Sequence, residues 1–310
     1  MYTVAFVALC VLIFAAMPVA NKTKGHIAVL LANLFFGANF AAVKYITPSL
    51  LKPFALNVVR VIASLVLFAL VLIFQKNKAP LQKQHIGRLL ICAITGVAIN
   101  QLMFIKGLSL TSSIHGALLM LVTPIFITFI AAWVLKEKLS LLKILGLISG
   151  VGGATFLILQ RSGGHEGSDM LTGDVLIIIN AIFYSFYLVM VRPLMAVYSP
   201  LQVVTYVFAI GSIMILPFGW SELMHTQWHQ WDNSHFATLT FIVIGATFCA
   251  YLFNMYGVNT IGSSATGAYI YTQPVFAGII AVVLMGEDFN WIKIVASIFI
   301  FLGVFLVNKK

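Results

Sequence analysis

A set of polar side chains lies near the middle of long apolar runs, where amides and hydroxyls could bind a small molecule. Burying such a group in hydrocarbon without a partner costs on the order of 2 to 7 kcal/mol, so we expect these side chains to face one another or a water-filled cavity. We expect others only to form hydrogen bonds between helices, each of which stabilises the folded protein by about 0.6 kcal/mol. The set comprises Asn33, Asn39, Asn100, Gln101, Thr123, Tyr184, Tyr187, Tyr251, Asn254, Tyr269, Tyr271 and Gln273.

Two prolines interrupt apolar runs near their middle. Pro124 and Pro274 each remove a backbone hydrogen bond and free a carbonyl group, and the polar residues Thr123 and Gln273 precede them. A proline can be a simple kink in a membrane helix, whereas paired interruptions at corresponding positions of two halves indicate a central site. The predicted binding set is Asn39, Gln101, Thr123, Pro124, Tyr184, Tyr187, Tyr251, Tyr269, Gln273 and Pro274.

The acidic residues lie in or beside the connectors between the runs, and none of the eight carboxylates is central in a run. An exporter of lipophilic cations normally needs a buried acid, so this distribution favours neutral or zwitterionic ligands. Glu137 and Glu287 occupy equivalent turns. They could titrate as proton sites, but their position at the ends of runs favours a gating or structural role in the turn.

Three cationic residues, Lys44, Arg60 and Lys106, are expected near the outer ends of their runs. Lysine and arginine at such positions usually extend to the lipid headgroups; a cationic collar for a carboxylate or phosphate is the alternative. His115 begins a run in the same region. We expect it to be an interfacial histidine, with a protonation switch as the alternative.

The connector before the eighth run spaces potential metal ligands at helical intervals, namely Glu222, His225, His229 and Asp232. Its three tryptophans favour an amphipathic segment at the membrane interface instead. The three cysteines lie inside apolar runs without metal-ligand spacing. We therefore predict no metal site and no cofactor.

The elements that position these residues come from a duplication. Residues 107–153 and residues 257–303 have the same order of motifs. At a constant offset Gly107 matches Gly257, Pro124 matches Pro274, and Glu137 matches Glu287. Each copy holds two apolar runs that are separated by a short charged turn. This pattern is expected of a membrane protein built from two related halves.

The composition places the chain in a membrane. Hydrophobic residues make up 61% and charged residues 8% of the sequence, and the mean hydropathy is +1.05, whereas soluble domains carry roughly 25% charged residues. The formal charge of +10 resides in short connectors and forms no patch or basic helix. We therefore predict contact with a lipid bilayer and none with nucleic acid.

Ten apolar runs are long enough to span a bilayer, with ends uncertain by about 2 to 4 residues. They cover residues 27–47, 54–74, 88–106, 114–135, 141–159, 171–191, 201–219, 236–256, 263–285 and 290–307. Residues 25–160 form the first repeat and residues 161–310 the second. Residues 1–24 lie outside the repeat and are an extra apolar helix, a cleaved leader or an over-extended start with Met17 as the initiator.

The distribution of lysine and arginine predicts that both ends of the ten-helix core are cytoplasmic. Because each half has five spans, the second half must enter the membrane with the opposite sense. The turn at residues 136–138 is Lys-Glu-Lys, whereas its equivalent at residues 286–288 is Gly-Glu-Asp. The loss of both lysines places the second turn on the outside. The fold class is therefore an all-α integral membrane protein with two inverted five-helix repeats.

The order of these motifs resembles the EamA-type family of the drug/metabolite transporter superfamily. The resemblance rests on Asn33 and Phe36 at the start of the first repeat, on SSIHGALLMLVTP and its partner SSATGAYIYTQP, and on the glutamate turns. It covers the chain from His26 onwards. It implies alternating-access transport of small metabolites across the cytoplasmic (inner) membrane of a bacterium, often export of amino acids or related compounds.

From these patterns we expect a secondary transporter, not an enzyme, that exports small neutral or zwitterionic metabolites as a monomer or homodimer. The sequence contains no Walker-type loop and no H-E-x-x-H or G-x-S-x-G motif. Three alternatives stay open at this point. They are transport of anionic or phosphorylated metabolites, a membrane-embedded metal-dependent enzyme, and a non-transporting membrane partner protein.

Overall fold

The computed structural model describes residues 22–75, 78–135, 141–159, 167–286 and part of residues 291–302. The predictions for the N-terminal run, Glu137 and Glu287 concern residues outside these ranges. The tenth predicted run is described at Trp291, Ile294, Val295, Ile298, Phe299 and Leu302, and all of these residues are helical.

The described part of the chain is built from helices. They are α1 (Lys22–Ile46), α2 (Pro53–Phe74), α3 (Lys83–Ala93, Ile94–Ala98 and Ile99–Leu110), α4 (Ser113–Leu119, Met120–Val122 and Thr123–Leu135), α5 (Leu141–Leu159), α6 (Gly167–Val191), α7 (Pro200–Met224), α8 (Asn233–Thr240, Phe241–Cys249 and Ala250–Ile261) and α9 (Ser263–Ala268, Tyr269–Thr272 and Gln273–Met285). Eight helical spans in these ranges are long and apolar enough to cross a membrane. The predicted all-α membrane fold is confirmed.

Local sequence signals explain where several helices begin. Pro53 opens α2 and Pro200 opens α7, at a position where the missing N–H of proline costs nothing. Ser199 caps α7: its hydroxyl accepts a hydrogen bond from the backbone N–H of Gln202, and the Gln202 side chain returns to the Ser199 backbone.

Two pairs of helices are interrupted at equivalent places in the two halves. In α4 and α9, 3₁₀ turns over Met120–Val122 and Tyr269–Thr272 come directly before the segments that begin Thr123-Pro124 and Gln273-Pro274. Since proline cannot donate to the preceding turn, a new α-helix starts there. In α3 and α8, π-helical segments cover Ile94–Ala98 and Phe241–Cys249. Such segments often occur at functional sites.

Contacts at the two ends of the bundle show that the halves are inverted. At the lysine-rich end, which contains the starts of α1 and α3, His26 bonds to Tyr269 at 2.8 Å. At the opposite end, Lys44 near the end of α1 donates to the Ser109 carbonyl near the end of α3. Early α6 lies at that same opposite end, because Asp174 accepts a hydrogen bond from Thr111. The first half therefore starts at one end and the second half at the other.

The helices pack through aromatic and small residues. Phe68 of α2 contacts Phe208 of α7 and Phe248 of α8, with ring centroids 5.0 and 4.9 Å apart. The backbones of α3 and α6 lie close together at Gly107 and Gly173, where a Cβ atom on either residue would lie 2.8 Å from the carbonyl oxygen of the other. Only glycine permits this approach of two backbones.

Candidate functional site

A polar cavity lies between the two halves near the middle of the helices. It is lined by Phe36, Asn39, Phe40, Arg60, Asn100, Gln101, Phe104, Met120, Asn180, Tyr184, Tyr251 and Gln273. These residues come from α1, α2, α3 and α4 of the first half and from α6, α8 and α9 of the second. The space open to the centre of a water-sized sphere is about 50 Å³. Since one water needs roughly 10 to 15 Å³ by this measure, a few water molecules fit.

Hydrogen bonds between helices hold the polar side chains of the cavity. Gln101 of α3 donates its side-chain amide to the hydroxyl of Tyr251 in α8. Gln273 donates to the Asn33 side-chain oxygen at 2.6 Å, and Asn180 donates to the Asn100 carbonyl at 2.9 Å. Each bond joins one half to the other, so movement of the halves must stretch or exchange these bonds.

Four polar atoms of the lining have no hydrogen-bond partner within the described ranges. They are Nη1 of Arg60, Oδ1 of Asn39, Oε1 of Gln101 and Oδ1 of Asn180, all of them buried. A buried polar group without a partner is costly. The cavity therefore offers one cationic donor and three amide oxygens to a ligand or to water.

Arg60 does not lie where the sequence analysis expected it. Its side chain is 2% exposed and lines the cavity instead of reaching the headgroups, because α2 begins seven residues earlier at Pro53 and carries position 60 into the protein. Nε donates to the Thr247 hydroxyl at 3.1 Å. Thr247 in turn donates to the Ile242 carbonyl, five residues back in the π-helical segment of α8.

Aromatic rings form the apolar part of the lining. Phe36 meets Tyr251 edge to face with centroids 5.8 Å apart, and Phe40 meets Phe104 in the same way at 5.3 Å. Phe208, which is buried behind the lining, supports Tyr251 at 5.0 Å. Such edge-to-face pairs hold the rings in defined positions.

The structure brings five members of the predicted binding set together around the cavity: Asn39, Gln101, Tyr184, Tyr251 and Gln273. Their role in substrate binding stays a prediction. The other five members lie outside the lining, and they are Thr123, Pro124, Tyr187, Tyr269 and Pro274.

These outlying members have other surroundings. Tyr187 is buried and donates to the Met255 sulfur, and Tyr269 bonds to His26 at the lysine-rich end. The Thr123 carbonyl accepts from Ser185. The two prolines start helix segments, and the neighbouring Met120 and Gln273 supply the cavity lining from α4 and α9.

Sequence reasoning missed Asn180 as a member of the site. The sequence contained a signal for it, since Asn33-x-x-Phe36 returns as Asn180-x-x-Phe183, an offset of 180 − 33 = 147 residues. Insertion of three residues relative to the offset of the other repeat positions concealed the match. The aromatic lining carried no signal of its own, because phenylalanine is common in every run.

His115 and Asp174 form a buried pair at the opposite end of the bundle. Their exposures are 3% and 0%, Nδ1 of His115 lies 2.9 Å from Oδ1 of Asp174, and the Thr111 hydroxyl donates to the same oxygen. The expectation of an interfacial histidine is wrong. The inference that no acid is buried is also wrong, because the close contact of α3 and α6 encloses Asp174. Neither residue lines the cavity.

Three of the four candidate metal ligands in the connector after α7 have separate partners. Glu222 accepts from the backbone N–H groups of Phe54 and Ala55 at 2.9 and 3.1 Å and so caps α2. His225 bonds to the Ser221 carbonyl. Asp232 caps α8, and the Ser234 hydroxyl, followed by the His235 N–H, lowers the pKa of its carboxyl. Within the described ranges no three such side chains are grouped to hold a metal ion.

Comparison with known proteins identifies the family. The pattern of the EamA-like transporter family matches residues 23–159 and again residues 171–309, once in each half. The chain belongs to this family. The recognition made from the motifs is thereby confirmed, and an EamA-like chain with two copies of the pattern is a multi-pass membrane transporter.

Relatives of this EamA-like transporter share its length. An uncharacterized transporter YetK of Bacillus subtilis is 25% identical over 80% of this chain and 76% of its own. YyaM of the same organism is 24% identical over 88% and 89%. A probable terminal-alkyne amino-acid exporter of Streptantibioticus cattleyicolor is 25% identical over 71% and 72%.

A solved crystal structure shares the fold of this EamA-like transporter. It is 17% identical, covers 93% of this chain and 97% of its own, and superposes with a TM-score of 0.64. At this identity the likeness extends to the fold alone.

Proposed function

We propose that this EamA-like chain is a secondary transporter that exports small neutral or zwitterionic metabolites of amino-acid type by alternating access. The observation that carries the proposal is the polar cavity between the two inverted halves, with unpaired hydrogen-bonding atoms from both. Transporters of inverted-repeat design bind their substrates at such an interface. The name of the Streptantibioticus relative, an amino-acid exporter, supports the substrate class.

In alternating access the two halves tilt relative to each other, so the contacts between them must break and form again in the other orientation. The hydrogen bond between Gln101 and Tyr251 lies at this interface. The interrupted helices α4 and α9 supply Met120 and Gln273 to the lining, and breaks of this kind can act as hinges. Access would alternate between the lysine-rich end and the opposite end.

The orientation in the membrane belongs to the same proposal. At the lysine-rich end Lys22, Lys24, Lys83 and Arg88 lie at the starts of α1 and α3, and the positive-inside rule places such an end in the cytoplasm. Export then runs from this end to the opposite one, across the inner membrane. Substrate and lipid are the partners that this function requires, and the functional unit is a monomer or homodimer.

Two other functions have less support. Glu222, His225 and Asp232 are engaged in separate contacts, which speaks against a metal-dependent enzyme at the connector. A non-transporting partner protein has no need of unpaired polar atoms from both halves around one cavity. Transport of anionic or phosphorylated metabolites is a variant of the proposal, and Arg60 is the one cationic residue of the described lining that would favour it.

The test is transport by the full chain in reconstituted vesicles. We expect Gln273→Ala to reduce the flux of labelled apolar amino acids at least fivefold, while the protein inserts normally. Gln84→Ala is the matched control, because Gln84 is an exposed residue at the lysine-rich end and lies far outside the cavity lining. Equal flux in the wild type, the variant and protein-free vesicles would contradict the proposal.

A further inference from the structure

We propose that Arg60 binds the carboxylate of the transported substrate, while the side-chain oxygens of Asn39, Gln101 and Asn180 accept hydrogen bonds from its ammonium group. The substrate class is then a zwitterionic α-amino acid with an apolar side chain. This inference rests on the proposed function, since it assigns the chemistry of the same cavity.

Arg60 brings a buried positive charge to the cavity. A guanidinium is always charged at physiological pH, and burying a charge is costly unless it is paired. Arg60 is buried, its Nε is used by Thr247, and its Nη1 has no partner within the described ranges. In those ranges Arg60 forms no ion pair with a carboxylate. The missing counter-charge is therefore expected from a ligand.

The charge of the lining fits a carboxylate better than a phosphate. Arg60 is the one cationic residue of the described lining, and Lys44 and Lys106 do not belong to it. Lys44 instead donates to the Ser109 carbonyl. A phosphate dianion would need more positive charge and more donors than one guanidinium supplies, whereas the planar fork of arginine fits a carboxylate.

The remaining unpaired atoms of the lining are hydrogen-bond acceptors. Oδ1 of Asn39, Oε1 of Gln101 and Oδ1 of Asn180 are buried without partners in the described part of the chain. An ammonium group has three donors and no acceptor, so it satisfies such oxygens. Since the described lining contains no Asp or Glu, a free cation has no counter-charge there. In a zwitterion the carboxylate pairs with Arg60 and the ammonium meets the amide oxygens, so the ligand itself adds no net charge to the site.

The apolar residues of the cavity restrict the side chain of the substrate. Phe36, Phe40, Phe104 and Met120 supply the apolar part of the lining, and they offer no hydrogen-bonding group to a substrate side chain. A polar or charged substrate side chain would lose its hydration there without compensation. The cavity therefore favours aliphatic or aromatic side chains, for which it must open further than in the present state.

The experiment compares acids with their amides. L-alanine, L-leucine and L-phenylalanine are each tested as labelled substrates of the reconstituted full chain, with the corresponding amino-acid amides and the amine lacking the carboxylate as competitors. A lost charge-assisted hydrogen bond weakens binding on the order of tenfold to a hundredfold. We expect the amides and amines to compete at least tenfold more weakly than the acids.

Variants of Arg60 give a second readout. Arg60→Gln should lower the affinity for the amino acid at least tenfold and leave the affinity for its amide nearly unchanged, and Arg60→Lys should restore part of the loss. Arg88→Gln, which removes a half-buried arginine outside the cavity, should behave like the wild type. The comparison of acid and amide in the wild type needs no variant, so it remains decisive if Arg60→Gln does not fold.

Binding of the same amino acids to the purified protein, measured as thermal stabilisation, separates the two proposals. Binding that depends on Arg60 without flux would overturn the transport function and support the site. Flux of another metabolite that is unaffected by Arg60→Gln would overturn the site and support transport. Equal competition by acids and amides, or tighter binding of inorganic phosphate than of any amino acid, would also overturn the assignment of Arg60.

Discussion

The side-chain amide of Gln101 donates a hydrogen bond to the hydroxyl of Tyr251, and these two residues are 150 positions apart. This is the offset of the repeat, so two equivalent positions of the halves touch each other. Ser149 repeats the relation, because its hydroxyl donates to the carbonyl of Phe299 at 3.0 Å, again 150 positions away. Contacts between equivalent residues occur only near the axis that relates the two halves, and the cavity therefore lies on or close to that axis.

Gln101 and Tyr251 should behave as a coupled pair. The substitutions Gln101→Ala and Tyr251→Phe each remove the same hydrogen bond, so the double variant should lose less stability than the sum of the single ones. We expect a coupling energy of about 1 kcal/mol. It can be measured by detergent-induced unfolding in mixed micelles. Ser149→Ala with Tyr251→Phe is the control, and additive losses in both pairs would show that the contact is absent.

The buried pair of Asp174 and His115 should contribute strongly to stability. Asp174→Ala leaves His115 and Thr111 without their shared acceptor, and breaking a buried pair in this way costs about 3 to 5 kcal/mol. Asp174→Asn keeps one oxygen and should lose less. The exposed residue Asp169 lies five residues earlier in α6, so Asp169→Ala serves as the control. Similar unfolding midpoints for Asp174→Ala and Asp169→Ala would contradict the burial.

The close contact of α3 and α6 should not accommodate one added methyl group. In Gly107→Ala the new Cβ atom would lie 2.8 Å from the Gly173 carbonyl oxygen, which forces the two backbones apart. We expect a loss of about 1 to 3 kcal/mol in the same unfolding assay. Gly87→Ala is a matched control in α3, because nothing lies within 4 Å of its new Cβ. That change should be neutral or stabilising, since alanine favours helix.

The cap of α8 should weaken in acid. Hydrogen bonds from the Ser234 hydroxyl and the His235 N–H lower the pKa of Asp232 below its ordinary value. A group with a lowered pKa in the folded state stabilises it above the unfolded pKa, and this contribution is lost as the pH falls through the folded pKa. Hydrogen exchange at Ser234 and His235 should therefore speed up below about pH 4, beyond its intrinsic dependence on pH.

Asp232→Asn provides the check on this prediction. Asparagine keeps the capping oxygen but does not titrate in this range, so the variant should show no such acid-dependent opening. An identical pH response of the variant and the wild type would assign the effect to another group.

Much of the fold follows from the sequence because it depends on the lengths and the spacing of segments along the chain. The length of an apolar run decides whether it can span a bilayer, and nine of the ten predicted runs coincide with α1 to α9. The constant offset between Pro124 and Pro274 revealed the duplication. An odd number of spans in each half required the inversion that the end contacts now show.

The residues that line the cavity could be predicted from the sequence only in part. Asn39, Gln101 and Gln273 were selected because polar side chains at mid-span depth must find partners, and this cost acts whatever the tertiary arrangement. Pro124 and Pro274 were selected from their effect on the backbone. That effect breaks α4 and α9 where expected, yet it does not dictate which neighbouring side chain reaches the cavity.

Only the tertiary structure decided the surroundings of the charged residues. Arg60 and Asp174 each lie in the first two turns of a run, and the sequence alone does not decide whether a charge in that position extends to water or turns inward. The rotation of each helix about its axis selects between these outcomes, and it depends on distant contacts such as Gly107 with Gly173 and Phe68 with Phe208. The sequence by itself therefore determined the spans and their inverted symmetry, whereas packing between helices decided that Arg60 faces the cavity and that Asp174 is buried beside His115.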